Sequence, residues 1–420
     1  MSLSVAAHGI LKTHLTWDEV EHELQKAFNT NAHFGPNKSA TSVGDLKGFM
    51  SKIALIDPDW QNKKSDEKLP EKFIVKICSQ LPLLEMRDHM KVGSEEEFEQ
   101  KIHEFSGIVK MFHNREVESY RLIDKYGKGK IATTKIYASR KFDETNQLKG
   151  FIISEYFPDI QHIPTHDSIS YEDMRPIVKA VAEFSALGEY MLENELEFAK
   201  TSSMASVVEN FLDDKSVDNF NSLFKEKMPA EHEPKIDEYI SIIKEFYTSS
   251  QFLKNFEKMH EIINHKPVLI HCDLWASNLL CAKTKENHVE LKAIIDFQTV
   301  SVGSPGMDVG RLFTSSLTTK DRRDHLDDLL HLYYETFVSK LEGKKPPYTF
   351  EQLKSSYFLA FPILAFLVIP TMGTFLDQTN IAEDLRQKIN ELAIEKMIGL
   401  LDDAIEIHKK NFAEFPIFYQ

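Results

Sequence analysis

The sequence lacks most of the features that would place it in a specialised class of protein. Only 3 of its 420 residues are cysteines, and Cys78, Cys272 and Cys281 all lie in apolar runs. An odd number of cysteines in such positions indicates reduced, buried thiols and no disulfide framework, so we expect a cytoplasmic protein. Neither an internal repeat nor a low-complexity tail is visible along the chain.

Positive charge is also scarce. The chain has 50 lysines and arginines against 65 acidic residues, which gives a formal net charge of -15. Proteins that bind the nucleic-acid backbone usually carry a basic surface, so this balance argues against a nucleic-acid partner. It does not argue against ATP, because local hydrogen-bond donors and a metal ion hold a nucleotide.

Signals that direct a chain to a membrane are weak. The N-terminal residues show no basic region followed by a long apolar core, so we expect no secretory signal. Residues 357–376 form an uncharged apolar run long enough to span a bilayer. Pro362, Pro370 and the lack of flanking basic residues favour a core helix or a broken helix pair, which could wall a substrate pocket. We expect no stable membrane insertion and keep membrane association as a minor alternative.

The most informative stretch that is present is 270–296. One apolar run leads to Asp273 and Asn278, and a second apolar run ends in Asp296 after a polar turn. This pattern predicts a hairpin that holds Asn278 close to Asp296. Phosphoryl transfer needs a carboxylate that accepts or orients the hydroxyl proton, and hard oxygen ligands for Mg²⁺. Asp273 suits the first task, and Asn278 and Asp296 suit the second.

A lysine in a strand is the second candidate. Residues 72–79 predict a strand with Lys76 among apolar neighbours, and residues 95–125 predict a long helix after it. Lys76 is suited to contact ATP phosphates while an acid of the helix holds it. Glu116 is the chosen partner, with Glu118 the alternative, because the sequence does not resolve the helix face.

The segment before that strand predicts the other half of a hairpin. Gly44 and Gly48 flank a polar turn before a predicted strand at 49–56, and their backbone N–H groups could approach phosphates. The signal is weak, because two glycines before a strand more often mark an ordinary turn.

The chain then changes character near Tyr156. Residues 130–138 and 150–160 predict strands that end before Pro158, and the backbone of Glu155 and Phe157 could meet an adenine edge. After this point the sequence predicts helices at 169–192, 202–224 and 236–264, and further helices over 308–410 with a turn at 344–347. Another helix, at 16–28, is predicted earlier in the chain. We therefore predict an α+β, bilobal fold with an N-terminal lobe of residues 1–156 and a helical lobe of residues 157–420.

These motifs carry a family resemblance. HCDLWASN, IIDFQTVSVGSPGMDVGRL and GDLKGFMSKI make the chain similar to the ecdysteroid-kinase-like, or CHK-kinase-like, proteins. The ecdysteroid-kinase-like proteins belong to the choline kinase and aminoglycoside phosphotransferase branch of the protein-kinase-like fold. The resemblance implies the roles above for Lys76, Glu116, Asp273, Asn278 and Asp296. It further implies that Asp308, with His271, supports the catalytic loop without doing chemistry.

Departures from the kinase pattern narrow the substrate. Cys272 and Trp275 stand where protein kinases carry an arginine and a lysine, which argues against a protein substrate. Phe297-Gln298 follows Asp296 where protein kinases have Phe-Gly. Phe184-Ser185-Ala186 stands where the phosphotransferases that the chain resembles often have Phe-His-Ala. We expect a kinase dependent on ATP and Mg²⁺ that phosphorylates a hydroxyl of a small, largely apolar metabolite, such as a steroid or a conjugated xenobiotic. The alternative is a pseudokinase that acts as a nucleotide- or lipid-binding scaffold. The sequence leaves the acceptor and the oligomeric state undetermined.

Overall fold

A computed structural model describes residues 2–43, 50–86, 95–161, 163–164, 166–200, 214–373 and 383–420. The chain divides into two compact units. The first comprises residues 1–121 and 133–158, and the second comprises residues 122–132 and 159–420. Residues 122–132, which the sequence assigned to the N-terminal lobe, group with the second unit. Two contacts show why: Ile294 N–H donates to the Ala132 carbonyl, and Gly127 lies against Leu187.

The first unit is built on a five-stranded antiparallel sheet. Its strands lie in the spatial order Ser39–Ser42, Ser51–Asp57, Phe73–Cys78, Phe151–Glu155 and Ile136–Arg140. Strand Phe73–Cys78 is central, pairing Lys76 with Ile53 on one side and with Ile152 on the other. The strand predicted at 130–138 begins only at Ile136 in the structure. A separate two-stranded pair joins His33–Phe34 to Trp60–Gln61.

Alternation along the central strand separates its two faces. Phe73, Val75 and Ile77 point to one side and join a buried hydrophobic cluster with Val20 and Leu24. These last two residues belong to helix Trp17–Phe28, which Thr16 and Glu19 begin with a capping box. Because side chains of a strand alternate, Lys76 points away from this cluster.

The helices of the first unit after the sheet's central strand are Leu81–Met86 and the start of Glu95–Gly127. The long helix agrees closely with the predicted 95–125. Val109 and Phe112 are buried on it, and Glu116 follows one turn after Phe112, so the same helix face is directed inward.

The second unit is mainly helical. Among the described residues, its α-helices are Tyr171–Leu187, Glu197–Lys200, Asp214–Lys227, Glu233–Ile242, Ser250–Glu257, Met259–Ile262, Gly306–Ser316, Thr319–Ser339, Phe350–Gly373 and Glu383–Glu414. The continuous helix predicted at 236–264 was wrong. A π-helical turn follows Ile242, and the Ser249 hydroxyl accepts the Phe252 N–H to begin a new helix. Part of the helix predicted at 202–224 lies outside the described residues.

Two small sheets of the second unit carry the loops that contain His271, Asp273, Asn278 and Asp296. Strand Val268–Ile270 pairs with Ser301–Gly303. Strand Leu279–Lys283 pairs with Val289–Ile294 as the predicted hairpin, and Ile160–Gln161 adds to its other edge. All of these pairs are antiparallel. The α+β fold class predicted from the sequence, with an antiparallel sheet in the first unit and a mainly helical second unit, is therefore confirmed.

The apolar run at 357–376 lies largely in helix Phe350–Gly373. By length and composition this helix could cross a membrane, but most of it is buried inside the protein, as in the core of a soluble domain. Pro362 cannot donate an N–H to the Phe358 carbonyl, and the side chain of Asn411 donates to that carbonyl instead, at 2.7 Å. The helix therefore continues through the proline. Residues 374–376 lie outside the described residues.

Helix Gly306–Ser316 is placed tightly against this apolar helix. A Cβ on Gly306 would meet the Tyr357 backbone nitrogen at 2.2 Å, so only glycine permits this approach. The Ser356 hydroxyl accepts the Gly306 N–H at 2.9 Å. This contact fixes the start of the helix that carries Asp308.

Candidate active site

The loop after strand Val268–Ile270 is held by a buried carboxylate. Asp308 is 0% exposed and accepts the backbone N–H groups of His271 and Cys272, at 2.7 and 2.8 Å. Cys272 has φ +68°, a conformation that costs a non-glycine residue about 1–2 kcal/mol. Burial raises the pKa of Asp308, while His271 and these two N–H donors lower it. The carboxylate thus stabilises the bend that begins the loop.

His271 links this loop to the residue before Asp296. Its Nε2 lies 3.0 Å from the Ile295 carbonyl, and its Nδ1 lies 3.3 Å from the Asp273 backbone nitrogen. A carbonyl only accepts and an N–H only donates, so these partners assign the ring hydrogen to Nε2. Thr299 adds a third tie, since its hydroxyl donates to the His271 carbonyl at 2.9 Å. His271 is therefore a structural connection, in keeping with its predicted supporting role.

Asp273 is oriented by Asn278. The Asn278 Nδ2 donates to the Asp273 carbonyl at 2.8 Å and to its Oδ2 at 3.1 Å. With Nδ2 turned to Asp273, the Asn278 Oδ1 is left as an oxygen donor for a cation. Burial raises the pKa of the Asp273 carboxyl; Arg311 opposes that effect and Asp296 adds to it. The carboxylate accordingly combines a fixed orientation with a raised affinity for a proton.

Asp296 is brought beside this pair by the hairpin. Leu279 pairs with Ile294, and the Ile295 N–H donates to the Asn278 carbonyl at 3.0 Å. Asp296 itself has φ +67° and ψ +53°, a left-handed conformation that ends the strand abruptly. The predicted proximity of Asn278 and Asp296 thus follows from the strand register. Gln298, which follows the Phe297 of the sequence motif, reaches Asp296 Oδ2 at 3.5 Å.

Two oxygen-bearing side chains suit a hard cation here. Among the described residues, no group of three or more His, Cys, Asp or Glu side chains could hold a metal ion. Asn278 and Asp296 fit Mg²⁺, which is usually bound through one or two protein oxygens plus phosphates and waters. The donor set fits a cation that arrives with a nucleotide better than one held by protein alone.

The sequence interpretation missed Arg311. This residue is 8% exposed, its Nη2 lies 3.7 Å from Asp273 Oδ1, and its guanidinium stands 5.3 Å from the Trp275 ring centroid. Its position three residues after Asp308 on helix Gly306–Ser316 places both side chains on one helix face. That spacing was the available signal.

In the first unit, Lys76 and Glu116 form an ion pair. The Lys76 Nζ lies 2.7 Å from Glu116 Oε2, and Glu116 is 2% exposed. Glu118, the alternative partner, pairs instead with Arg121 and Lys141 at 2.5 Å each. Register on the helix therefore directs Glu116 and not Glu118 to Lys76.

Of the residues predicted to contact the nucleotide, four remain, and the structure describes two of them. Gly44 and Gly48 lie outside the described residues. Glu155 ends strand Phe151–Glu155, donates its N–H to the Lys135 carbonyl at 2.9 Å, and is followed by the half-buried Phe157. Ser185, in the middle of Phe184-Ser185-Ala186, donates its hydroxyl to the Leu269 carbonyl at 2.7 Å and so supports the strand before the loop.

Comparisons with known proteins show which family the chain matches and which proteins it is similar to. The family model DUF1679, described as "Uncharacterized oxidoreductase dhs-27", matches residues 3–412. The Caenorhabditis elegans protein of that description is 25% identical over 323 residues, covering 74% of this chain and 36% of that protein. "Uncharacterized kinase-like protein D1044.1", also from C. elegans, is 31% identical over 159 residues, covering 36% of this chain and 41% of that protein. The matched segments thus cover less than half the length of either relative.

Solved structures with similar folds include choline kinase from Cryptosporidium parvum Iowa II. That chain is 12% identical with a TM-score of 0.44, and the similarity covers 90% of each chain. Ethanolamine kinase from Plasmodium vivax is 11% identical with a TM-score of 0.40, covering 87% of this chain and 82% of that one.

Proposed function

The chain belongs to the DUF1679 family, and from that premise we propose that it is an ATP-dependent small-molecule kinase. It transfers the γ-phosphoryl group to a hydroxyl of a small metabolite. The observation that carries this proposal is the arrangement of Asp273, Asn278 and Asp296: one carboxylate is oriented by an amide, and a second carboxylate is brought alongside by a hairpin. This is the residue set that positions a hydroxyl and binds a metal–phosphate group.

Asp273 accepts or orients the proton of the acceptor hydroxyl in this proposal. Its Oδ2 is engaged by Asn278, so Oδ1 is the oxygen that faces the acceptor. Asn278 Oδ1 and Asp296 would hold Mg²⁺, which neutralises charge on the transferring phosphates when it is bound. Lys76, held by Glu116, would contact the phosphates, and the backbone of Glu155 and Phe157 would meet the adenine. The proposal that the backbone of Gly44 and Gly48 contacts the phosphates rests on the sequence alone.

The proposed acceptor is a largely apolar metabolite, such as a steroid or a conjugated xenobiotic. Support comes from Trp275, whose half-buried ring lies two residues after Asp273. The apolar helix Phe350–Gly373 gives less support than the sequence suggested, because its side chains from Leu359 to Phe366 are buried in the core of the second unit. Their apolar character is explained by that packing alone.

An oxidoreductase reading follows from the printed name of one relative, and it has less support. The matched segment covers 36% of that protein. Dinucleotide-binding domains are built on a parallel sheet, whereas every strand pair in the described part of this chain is antiparallel. A pseudokinase that binds nucleotide without useful turnover is the stronger alternative.

One experiment separates these functions. The protein is melted with and without Mg-ATP, and phosphate transfer from labelled ATP is then measured to hydroxylated lipids, glucosides, aminoglycosides and choline. A ligand that binds only the native state raises the melting temperature. We expect a shift with Mg-ATP and transfer to at least one acceptor, with loss of transfer in Asp273→Asn. A shift without transfer would support the pseudokinase, and the absence of both would overturn the kinase proposal.

A further inference from the structure

The surroundings of Arg311 bear on which acceptors fit the site. Its guanidinium is buried, yet Nε and Nη1 have no hydrogen-bond partner among the residues that the structure describes. The Trp275 Nε1, on the ring that this guanidinium contacts, is also buried without a hydrogen-bond partner among the described residues. Buried donors without acceptors are costly, so these atoms can accept an oxygen-bearing partner outside the chain, either water or a ligand. Because Nε and Nη1 of Arg322 are unpartnered in the described part of the chain as well, the contact that Nη2 makes decides which arginine is open to a ligand.

The distance to Asp273 supports the same conclusion. Arg311 Nη2 and Asp273 Oδ1 are 3.7 Å apart, which is too long for a direct hydrogen bond. Oδ1 is also the oxygen that Asn278 leaves unoccupied, and so the one that would receive the acceptor hydroxyl. An acceptor placed there brings its neighbouring atoms next to Nη2.

The charges of Asp273 and Arg311 determine which acceptor atoms are favoured next to Nη2. A carboxylate that faced the acceptor alone would attract an ammonium group. Here the guanidinium of Arg311 stands beside Asp273 and offsets its charge, and an ammonium near Nη2 would be repelled. An oxygen atom, in contrast, would accept the hydrogen bond that Nη2 does not make to Asp273.

We propose that Arg311, supported by Trp275, binds a second oxygen of the acceptor next to the hydroxyl that receives phosphate. That oxygen belongs to a neighbouring hydroxyl or carboxylate, and amino alcohols are excluded. This inference rests on the proposed kinase function and names the acceptor class of the same site. Arg311 is then a specificity-determining residue. In the reaction, a bond forms between the hydroxyl oxygen at Asp273 and the γ-phosphorus of ATP, the bond from that phosphorus to the bridging oxygen breaks, ADP leaves, and Asp273 accepts the hydroxyl proton.

A set of compounds with one common skeleton tests the inference. Mandelate, 1-phenyl-1,2-ethanediol, 2-amino-1-phenylethanol and 1-phenylethanol share a benzylic hydroxyl and differ only in the group beside it. Their dissociation constants are measured by calorimetry on the full chain with Mg-ADP. We expect mandelate or the diol to bind at least about tenfold more tightly than 1-phenylethanol, the gain of one hydrogen bond to a charged donor. The amino alcohol should bind no more tightly than 1-phenylethanol.

Matched variants assign the preference to Arg311. In Arg311→Gln the ratio of affinities should fall to about one. Arg322→Gln serves as the control, because Arg322 is also buried, lies 5.4 Å from the Phe361 ring and pairs with an aspartate away from the loop. This variant should keep the ratio. Arg311→Lys, which keeps the charge, provides a second variant if Arg311→Gln does not fold, and it should retain part of the preference.

The outcomes are decisive in both directions. Tight binding of the amino alcohol, equal affinities or no binding of the four compounds would overturn the inference, as would an oxygen preference that survives in Arg311→Gln. The arms with mandelate and the diol tell a carboxylate partner from a hydroxyl partner. Phosphate transfer from labelled ATP in the same preparations reports separately on the kinase proposal: transfer without the preference overturns only the acceptor class, and the preference without transfer overturns the kinase proposal.

Discussion

Arg311 and Arg322 are two buried arginines of the second unit that resemble each other closely. Each guanidinium lies over an aromatic ring and beside an aspartate, and each has Nε and Nη1 without a hydrogen-bond partner among the described residues. The difference is distance. Arg322 Nη2 lies 2.6 Å from Asp403, whereas Arg311 Nη2 lies 3.7 Å from Asp273.

This difference separates a closed ion pair from an open one. Asp403 is shared by Arg322 and the neighbouring Arg323, so its carboxylate is fully engaged by the protein. Asp273 is oriented by an amide and keeps one oxygen for another partner. The lesson is that a buried arginine beside an aspartate does not by itself indicate a role; the length of the contact distinguishes structural support from a binding function.

The largest expected effect comes from breaking the open pair at its carboxylate. Asp273→Asn should lower the rate of phosphate transfer by about 10²–10⁴, the usual contribution of a positioned proton acceptor, while the melting temperature stays close to that of the wild type. Initial rates with any acceptor found in the panel provide the measurement. Transfer that continues at the wild-type rate would remove Asp273 from the mechanism.

The matching change in the closed pair should act on stability. Asp403→Asn leaves Arg322 buried with a neutral partner, and we expect the free energy of unfolding to fall by about 3 kcal/mol. Urea unfolding measures this loss, and transfer rates per folded molecule should be unchanged. If Asp403→Asn instead reduced transfer without loss of stability, the contrast between the two pairs would fail.

Lys396 sharpens the comparison through pH. This 3% exposed residue donates to the Ser315 carbonyl at 2.6 Å and to the Asp167 carbonyl at 3.1 Å. Burial, with Arg322 adding to it, lowers the pKa of Lys396 to about 7. The closed pair therefore has a second buried cation nearby.

The sign of the pH effect follows from proton counts. The unfolded chain keeps the ordinary lysine pKa of 10.5, so between about pH 7 and 10.5 it binds more protons than the folded chain. The contribution of Lys396 to the free energy of unfolding then rises with pH across that window, by at most about 1.4 kcal/mol per pH unit. Below pH 7 both states are protonated and the contribution is constant. The difference between wild type and Lys396→Met, measured by urea unfolding from pH 6 to 9, should show this slope; a flat difference would mean that the buried lysine keeps its charge.

The smallest expected effect extends the contrast to the first unit. Glu116→Gln breaks the buried contact with Lys76 and should raise the apparent dissociation constant for Mg-ATP about fivefold, which corresponds to about 1 kcal/mol. Glu118→Gln breaks only partly exposed ion pairs, which contribute about 0–1 kcal/mol to stability, and should leave that constant unchanged. Titration of both variants with Mg-ATP compares them. Equal effects would show that the choice between the two acids does not matter for nucleotide binding.

The sequence predicted the parts of the site that depend on local pairing. Spacing alone placed Asn278 beside Asp296, because strand register in a short hairpin leaves little freedom. It could not choose between Glu116 and Glu118, since the two lie on nearly opposite faces and the sequence does not fix which face of this 33-residue helix turns toward Lys76. It passed over Arg311, because the contact with Asp273 depends on how helix Gly306–Ser316 meets the loop.

The same division holds for the fold. The long helix at 95–125 and the strand around Lys76 were predicted closely, since both have strong periodicity. The break inside 236–264 was missed, because the Ser249 cap and the π-helical turn interrupt a pattern that remains apolar on one side. Local hydrogen bonding overrode periodicity there.

The contact between Pro362 and Asn411 makes one helix dependent on another for its continuity. Replacing Asn411 with leucine would strand the Phe358 oxygen in an apolar interior, yet the same replacement should become nearly harmless once position 362 is alanine, because the backbone then reclaims that oxygen. The effects of the two substitutions are consequently non-additive. A proline is tolerated in the middle of this helix because Asn411, some fifty residues further along the chain, supplies the missing hydrogen-bond donor.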